Sequence, residues 1–330
     1  MKVSIIVVTL NEEKNILSCL QSLLKQEYNH DYEIIILDGG SKDNTTEIVQ
    51  KFAKKNKFIK LVAKEKGTIT ECRNLGIKNA EYEYVAFTDA DCAVPEDWLT
   101  RLANGFKRYA AGNPRLAGVG GANIPPVNPV SFQKAIGIAF NSLLGSLGSI
   151  QAKQMKKDKK IFSISCTNSL YKKSILKSVG MFSEDLGNQG EDWDMGAKLL
   201  KNKYEVYGLH DSYVWHNFRA TPITFWKNMV FYGDGRMRLT RRHPDIVKKR
   251  YILPLFFIPL FMLSLILFMF TNNSLSLLPY LYFPFILFYS INISIKQKQA
   301  KMSLLVTYAF LIQHFGYAYG ELNGLRWILK

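Results

Sequence analysis

Tyr84-Val-Ala-Phe-Thr-Asp-Ala-Asp91 is the stretch on which the reading of this chain turns. Tyr84 to Thr88 is apolar, aromatic and β-branched, the composition of a short buried strand. Two carboxylates, Asp89 and Asp91, close it, and Pro95 with Glu96-Asp97-Trp98 then opens a helix. Ligands of open α/β sheets bind beyond the carboxyl ends of strands. Paired carboxylates there can grip a hard divalent cation, Mg2+ or Mn2+, which in turn can hold a diphosphate. Asp-x-Asp is also ordinary turn chemistry, so its meaning depends on what precedes it.

Upstream, Val3 to Thr9 is a near-continuous β-branched run, as expected of a central parallel strand. Leu10-Asn11-Glu12-Glu13 turns into a helix with Ile16, Leu17, Leu20, Leu23 and Leu24 at helical spacing. Glu33 to Leu37 is a second strand ending at Asp38. The tight loop Gly39-Gly40-Ser41-Lys42-Asp43 and a helix capped by Asn44 or Thr45 follow. Ile59 to Ala63 is a third strand, and Gly67 precedes a helix carrying Arg73, Asn74 and Gly76. Strands alternating with helices at this spacing predict a doubly wound, mostly parallel sheet. Its strand ends collect Thr9, Asn11, Glu12, Asp38, Asp43, Asp89 and Asp91, a pattern expected of a shared nucleotide site. No Gly-x-Gly-x-x-Gly follows the first strand and no Gly-Lys-Ser/Thr loop occurs. A dinucleotide domain and a P-loop NTPase are therefore not expected.

Downstream, Leu116 to Ala122 reads as a strand, and Ile124-Pro-Pro-Val-Asn-Pro129 breaks it. Ser131 to Ile150 carries only Lys134 as a charge, and reads either as an amphipathic interfacial segment or as a buried helix. Gln151 to Lys160 is a Lys-rich loop. Ile161 to Cys166 reads as a strand followed by Thr167-Asn168. Glu191-Asp192-Trp193-Asp194 opens a helix, so Glu191 and Asp192 are either dipole-compensating acids or a general base. Val206-Tyr207 and Tyr213 to Trp215 read as two short strands, the second ending at His216. A single His there is more often structural, and is otherwise a candidate metal ligand. Phe231-Tyr-Gly-Asp-Gly-Arg236 and the arginines after it can clamp a phosphate or sit against lipid head groups.

The chain's 330 residues hold 43 Lys and Arg against 27 Asp and Glu, a net charge of +16. From Tyr251 onward the only acid is Glu321, and the apolar content rises. A basic excess suits nucleic acid, anionic membranes or phosphorylated substrates. No nucleic-acid motif is present, which leaves membrane lipid and phosphates. Ile252 to Phe270 has no charge and is long enough for a bilayer core; Leu275 to Ile295 is a second such segment, and Ser303 to Gly320 a possible third. Lys248, Lys249 and Arg250 before the pair and Lys296, Lys298 and Lys301 after it place both flanks in the cytoplasm. A multi-pass protein of the cell membrane with a cytoplasmic soluble portion is the expectation. Four scattered cysteines match no zinc spacing and suit a reducing compartment, and the first residues run into a strand without a signal-peptide pattern.

Taken in order, Ser4-Ile-Ile-Val-Val-Thr-Leu-Asn-Glu12, Ile36-Leu-Asp-Gly-Gly-Ser-Lys-Asp-Asn-Thr45, Arg73-Asn-Leu-Gly76, Phe87-Thr-Asp-Ala-Asp91 and Gly190-Glu-Asp192 resemble the motifs of family 2 glycosyltransferases of the GT-A fold. The resemblance covers roughly residues 1 to 240, a catalytic domain, with residues 241–330 as the membrane region. The Gly39-Gly40 loop, Tyr232-Gly-Asp-Gly-Arg236 and the apolar C-terminal part are closest to membrane-attached enzymes of the succinoglycan-biosynthesis type. The resemblance implies a GT-A, Rossmann-like sheet flanked by helices. It further implies a UDP- or GDP-linked sugar donor, Mn2+ or Mg2+, inversion at the anomeric carbon, and a polyprenyl-linked or saccharide acceptor. It assigns Thr9, Glu12, Asp38 and Arg73 to the nucleotide-sugar and Asp91 with Asp89 to the metal and donor. Read from the residues themselves, Asn11, Gly40 and Arg236 are further nucleotide-sugar candidates and His216 is a metal candidate. Asp192, with Glu191 as the alternative, becomes the base that deprotonates the acceptor hydroxyl. The Gln-x-x-Arg-Trp signature of processive synthases is absent, so transfer of one sugar is expected. Direct transfer to a polyprenyl phosphate and a non-catalytic nucleotide-binding scaffold are the competing readings.

Overall fold

The computed structural model of the chain describes residues 1–146, 155–217, 221–247 and 249–329. Residues divide into two compact units. One comprises Met1–Val127 with Ser149–Asn217, the other Asn128–Gly148 with Phe218–Lys330. The division expected near residue 240 falls within a helix of the second unit, Pro222–Arg242.

The first unit is built on nine strands: β1 (Val3–Thr9), β2 (Tyr32–Asp38), β3 (Ile59–Ala63), β4 (Tyr84–Asp89), β5 (Cys92–Ala93), β6 (Leu116–Ile124), β7 (Lys159–Ile161), β8 (Ser169–Lys172) and β9 (Glu205–His216). They form one sheet in the order β3-β2-β1-β4-β8-β6-β9-β5, with β7 pairing to β9. β1, β2, β3 and β4 are parallel, and β1 is flanked by β2 and β4. That register sets Thr9 beside Asp38 and Val8 beside Asp89, so three strand ends open on one edge. The centre is dry: Val3, Ile5, Ile6, Val7 and Ile34 through Leu37 are fully buried. Burial of each such side chain contributes about 1.5–3 kcal/mol. Helices α1 (Ile16–Leu24), α2 (Thr45–Lys55), α3 (Ile69–Asn79) and α4 (Trp98–Ala110) fill the crossovers.

Two strand expectations need correction. β8 runs antiparallel to both β4 and β6 at Ser169–Lys172, and not over Ile161 to Cys166. Residues 162–168 form no strand; they make the turn that leads into β8. The apolar alternation Ile-Phe-Ser-Ile-Ser-Cys mimics a strand, but the sheet gap between β4 and β6 is filled by Leu170 and Tyr171 instead. The two short strands expected around residues 206 and 214 are one strand, β9, with irregular pairing to β6 between Gly120 and Ala122. An irregularity of that kind breaks the alternation by which a strand is read from sequence.

The second unit contains α5 (Ser131–Phe140), α6 (Leu143–Ser146), and, beyond α7 (Lys173–Ser178) and α8 (Glu191–Lys201) of the first unit, α9 (Pro222–Arg242), α10 (Phe257–Thr271), α11 (Tyr282–Lys296) and α12 (Ser303–Gly324). α5 is the buried helix of the two readings: Phe132, Ala135, Ile136, Ile138 and Ala139 pack with Phe225, Met229, Ile286, Val306 and Phe310. The rest of the Ser131–Ile150 segment from residue 147, residues 151–154 of the Lys-rich stretch and Lys248 lie outside the described residues. α9 and α12 approach so closely that a Cβ at Gly320 would lie 2.1 Å from the Val230 carbonyl oxygen.

Among the described residues, Tyr251–Thr271 and Ser274–Lys296, 21 and 23 residues long, are apolar enough to cross a membrane. Both carry short 3-10 turns where proline interrupts, at Pro254 and Pro279. Their side chains are largely exposed, among them Leu260, Met262, Leu263, Met269, Phe270, Leu281 and Phe288. The core helix of a soluble protein would bury these. α12 instead buries Val306, Ala309, Phe310, Ile312 and Gly316 within its unit.

Candidate active site

One strand-end edge is assembled from the loops after β1 and β2. Asn11 adopts φ 55°. Its amide donates to Ser41 Oγ at 2.8 Å, and its Oδ1 accepts the Lys42 amide at 2.8 Å. The Glu12 amide donates to Thr45 Oγ1 (2.8 Å), the Glu13 amide to Asp43 Oδ2 (3.1 Å), and the Asn44 amide to Glu13 Oε2 (3.2 Å). The two loops are thereby stitched side to side. Glu12 Oε2 accepts from Asn15 Nδ2 at 2.6 Å. Asp38 is 1% exposed, and Oδ1 takes the amides of Gly40 and Ser41 at 2.9 and 2.8 Å. Its carboxylate is committed to shaping its own loop. Gly40 has φ +101° and passes so close to the Glu65 carbonyl oxygen that a Cβ would sit 2.2 Å from it, so the loop requires glycine there. Thr9 Oγ1 is buried at the same edge with no hydrogen-bond partner, an unmet polar atom of the kind a ligand satisfies.

A second cluster centres on Arg73. Its helix is fixed at the start by a capping box in which Thr68 and Glu71 satisfy each other's backbone. Arg73 is 3% exposed. One guanidinium nitrogen meets Asp89 Oδ1 at 3.1 Å; another bonds Glu191 Oε1 and lies 3.9 Å from Asp192 Oδ1. Asn74, next along α3, exchanges two hydrogen bonds of 2.9 Å with the backbone of Phe182. The Ile69 amide donates to Asn188 Oδ1 at 2.7 Å. These bonds tie α3 to the segment that feeds α8, whose N-terminal flank, Gly190, takes a left-handed conformation. Glu191 and Asp192 are thereby aimed back at Arg73.

Asp192 Oδ1 also accepts the Cys166 amide at 3.0 Å. Burial pushes the Asp192 carboxyl up to about 7, with the Glu191 charge adding to the shift and Arg73 opposing it. The side chain keeps 17% exposure, enough opening for a partner molecule to reach it. A carboxylate poised near neutrality suits proton abstraction.

His216 ends β9, whose register with β5 sets it opposite Cys92. Its Nε2 lies 3.1 Å from Asp91 Oδ2. Ligand atoms of Asp91, Cys92 and His216 all lie within 4.8 Å of one another. Burial holds the Cys92 thiol up and protonated, so within this cluster the ligating groups are the Asp91 carboxylate and the His216 imidazole. A carboxylate and an imidazole side by side can together ligate a divalent cation.

Thr9, Asn11, Glu12, Asp38, Gly40, Arg73, Asp89, Asp91, Glu191, Asp192 and His216 all belong to the first unit. Arg236 does not. It lies on α9 of the second unit, where Nε donates to the Tyr317 hydroxyl at 3.0 Å and the guanidinium lies 5.3 Å from the Tyr251 ring centre. Two residues passed over in the sequence belong to this site: Cys166, through its amide, and Thr167, whose Oγ1 donates to Asp89 Oδ2 at 3.0 Å. Nothing in their residue types announces it; a turn placed between β4 and α8 would have.

The profile described as glycosyl transferase family 2 matches residues 4–180. A dolichyl N-acetyl-α-D-glucosaminyl phosphate 3-β-D-2,3-diacetamido-2,3-dideoxy-β-D-glucuronosyltransferase of Methanococcus voltae is 27% identical over 326 residues, 98% of this chain and 97% of that protein. A poly-β-1,6-N-acetyl-D-glucosamine synthase of Staphylococcus epidermidis is 31% identical over 235 residues, 71% of this chain; the match spans about half (54%) of that longer protein. The mannosyltransferase PcManGT of Pyrobaculum calidifontis, solved with GDP-Man and Mn2+, superposes with a TM-score of 0.59 at 17% identity, covering 94% of this chain and 86% of that one, and shares the fold. With the profile covering more than half of its residues and the sheet, the carboxylate pair and the α8 acids all in place, this chain belongs to glycosyl transferase family 2 and is a glycosyltransferase.

Proposed function

We propose that the chain is an inverting, metal-dependent enzyme that adds one sugar, from a UDP- or GDP-linked donor, to a lipid-linked saccharide at the cytoplasmic face of a membrane. The observation that carries this reading is the shared guanidinium of Arg73, which contacts Asp89 on one side and Glu191 with Asp192 on the other. Inversion in one displacement needs a base on the acceptor and charge neutralisation on the leaving diphosphate, on opposite sides of the reacting carbon. Asp192 accepts the acceptor hydroxyl proton. Thr9, Asn11, Glu12, Asp38 and Gly40 form the nucleotide edge, and Arg73 holds Asp89 beside it. Asp91 and His216, with Asp89, would hold a divalent cation, Mn2+ or Mg2+. When bound, the ion supplies the positive charge that a departing diphosphate requires. The Methanococcus relative, whose name gives a dolichyl-linked sugar phosphate as acceptor, supports a saccharide already attached to lipid as the acceptor here.

The test is product analysis. Membranes carrying the full chain, given a radiolabelled nucleotide-sugar and a lipid-linked monosaccharide, should yield one labelled lipid-linked disaccharide with the anomeric configuration inverted. A chelator should abolish the label and Mn2+ restore it. Label extracted as a sugar on lipid monophosphate would show instead that the bare polyprenyl phosphate is the acceptor. Retained configuration would exclude Asp192 as a simple base.

Attachment is tested separately. With α10 and α11 spanning, the full chain should stay in the membrane pellet through alkaline carbonate washing, whereas interfacial helices would be stripped. Release of intact protein into the wash would rule out spanning.

A further inference from the structure

The turn 165–168 is densely tied by hydrogen bonds, and no strand or helix accounts for its shape. Asn168 is fully buried: its Oδ1 accepts from Trp98 Nε1 (2.8 Å) and Ser212 Oγ (3.1 Å), and its Nδ2 donates to the Ala122 carbonyl (3.2 Å). The Asn168 amide closes the turn on the Ser165 carbonyl at 3.1 Å. Ser165 Oγ accepts the Thr167 amide (3.3 Å) and Asn123 Nδ2 (3.4 Å) and donates its own proton to Thr167 Oγ1 at 3.0 Å. Thr167 Oγ1 in turn donates to Asp89 Oδ2 at 3.0 Å, while the Cys166 amide, one residue away, donates to Asp192 Oδ1 at 3.0 Å.

We propose that Thr167 is a positioning residue for donor binding: its hydroxyl fixes the Asp89 carboxylate for the metal and diphosphate, from the same turn whose backbone holds Asp192. The physical case rests on direction and supply of protons. The Asp89 carboxylate only accepts, so Thr167 spends its single proton on it; Ser165 then donates to Thr167 Oγ1 and is itself held by two N–H donors. Such a chain of bonds polarises along its length and strengthens its last member. Arg73 takes Asp89 Oδ1 and Thr167 takes Oδ2, so the plane of the carboxylate is set by two donors at right places in the fold. A carboxylate free to rotate would cost ordering on each binding event. The turn also reaches both carboxylates, so the spacing between Asp89 and Asp192 is set by two consecutive residues, Cys166 and Thr167, together with Arg73.

This inference rests on the reading that Asp89 serves the metal and donor. The experiment is isothermal titration of the detergent-solubilised full chain with UDP and GDP, each with and without Mn2+, for wild type, Thr167→Val, Thr167→Ser and Asp89→Asn. Valine keeps the shape and deletes the hydroxyl. A hydrogen bond to an ionised acceptor is worth about tenfold or more in binding. Thr167→Val should therefore lose about tenfold of the Mn2+-dependent enhancement of nucleotide affinity, with metal-free affinity unchanged, and Thr167→Ser should restore it. A purely structural role would shift melting temperature and leave the metal enhancement intact. Should valine fail to fold, Ser165→Ala carries the same test, with a smaller loss expected. Wild-type enhancement in Thr167→Val, with Asp89→Asn impaired, overturns the role of Thr167 alone. Wild-type enhancement in Asp89→Asn overturns the reading of Asp89, and the inference with it.

Discussion

Asp192→Asn should lower kcat by about a hundredfold or more, the range for loss of a general base, and leave donor Kd within about threefold of wild type. Asparagine keeps the Oδ1 that accepts the Cys166 amide, so α8 stays anchored and only proton-accepting capacity is lost. The pH dependence gives a second readout. Asp192 is a carboxyl whose burial raises it to about 7. It works as a base only when ionised, so the wild-type rate is full above that value and falls as the pH drops through it. The variant should show a low rate with no such acid limb. Rapid-quench turnover with saturating donor, measured across the pH range, checks both. Near wild-type turnover would remove Asp192 from the chemistry. If Glu191→Gln instead reproduces the loss, the neighbouring acid is the base.

Arg73→Met destabilises the fold by about 3–5 kcal/mol, the cost of leaving buried charge without its partner. Methionine fills the space of the aliphatic stem but abandons Asp89, Glu191 and Asp192 facing one another. The sign with pH follows. Asp192 binds its proton more tightly in the folded chain than in the unfolded one, so it favours folding less as pH rises from the ordinary carboxyl range towards 7. Arg73 is the neighbour that opposes this shift, and its loss enlarges it. The melting temperature of Arg73→Met should therefore fall furthest below wild type at alkaline pH and recover part of the gap in mild acid. Thermal unfolding of the solubilised chain at both ends of that range measures it. A gap independent of pH would mean that packing, for instance of the guanidinium over Phe182 at 5.8 Å, dominates.

The parallel half of the sheet was legible in the sequence because Val3–Thr9, Tyr32–Asp38 and Tyr84–Asp89 are buried on both faces and read as unbroken apolar runs. Their ends carry Thr9, Asp38 and Asp89, so the polar strand-end edge was legible with them. β8 was not. Ser169–Lys172 has no period of its own, and only its two antiparallel neighbours make it a strand. The Ile161–Cys166 run has the right composition, yet its backbone serves as a turn. The carboxylates Asp89 and Asp192 were found by motif, but their common contact with Arg73 was not, because α3 and α8 are over a hundred residues apart. Arg236 read from sequence as a phosphate clamp or a head-group contact; its bond to Tyr317 on α12 joins residues some eighty positions apart, which no sequence pattern announces.

The stitching of the β1–α1 and β2–α2 loops reaches beyond their shape. The amides of Asn11, Glu12, Glu13, Lys42 and Asn44 are each held by an acceptor on the opposite loop. Neither loop can peel away without breaking bonds of the other, so the two open as a single cooperative unit. Deuterium would enter those five amides together, with one opening free energy, and a nucleotide seated on that edge would slow all five by the same factor.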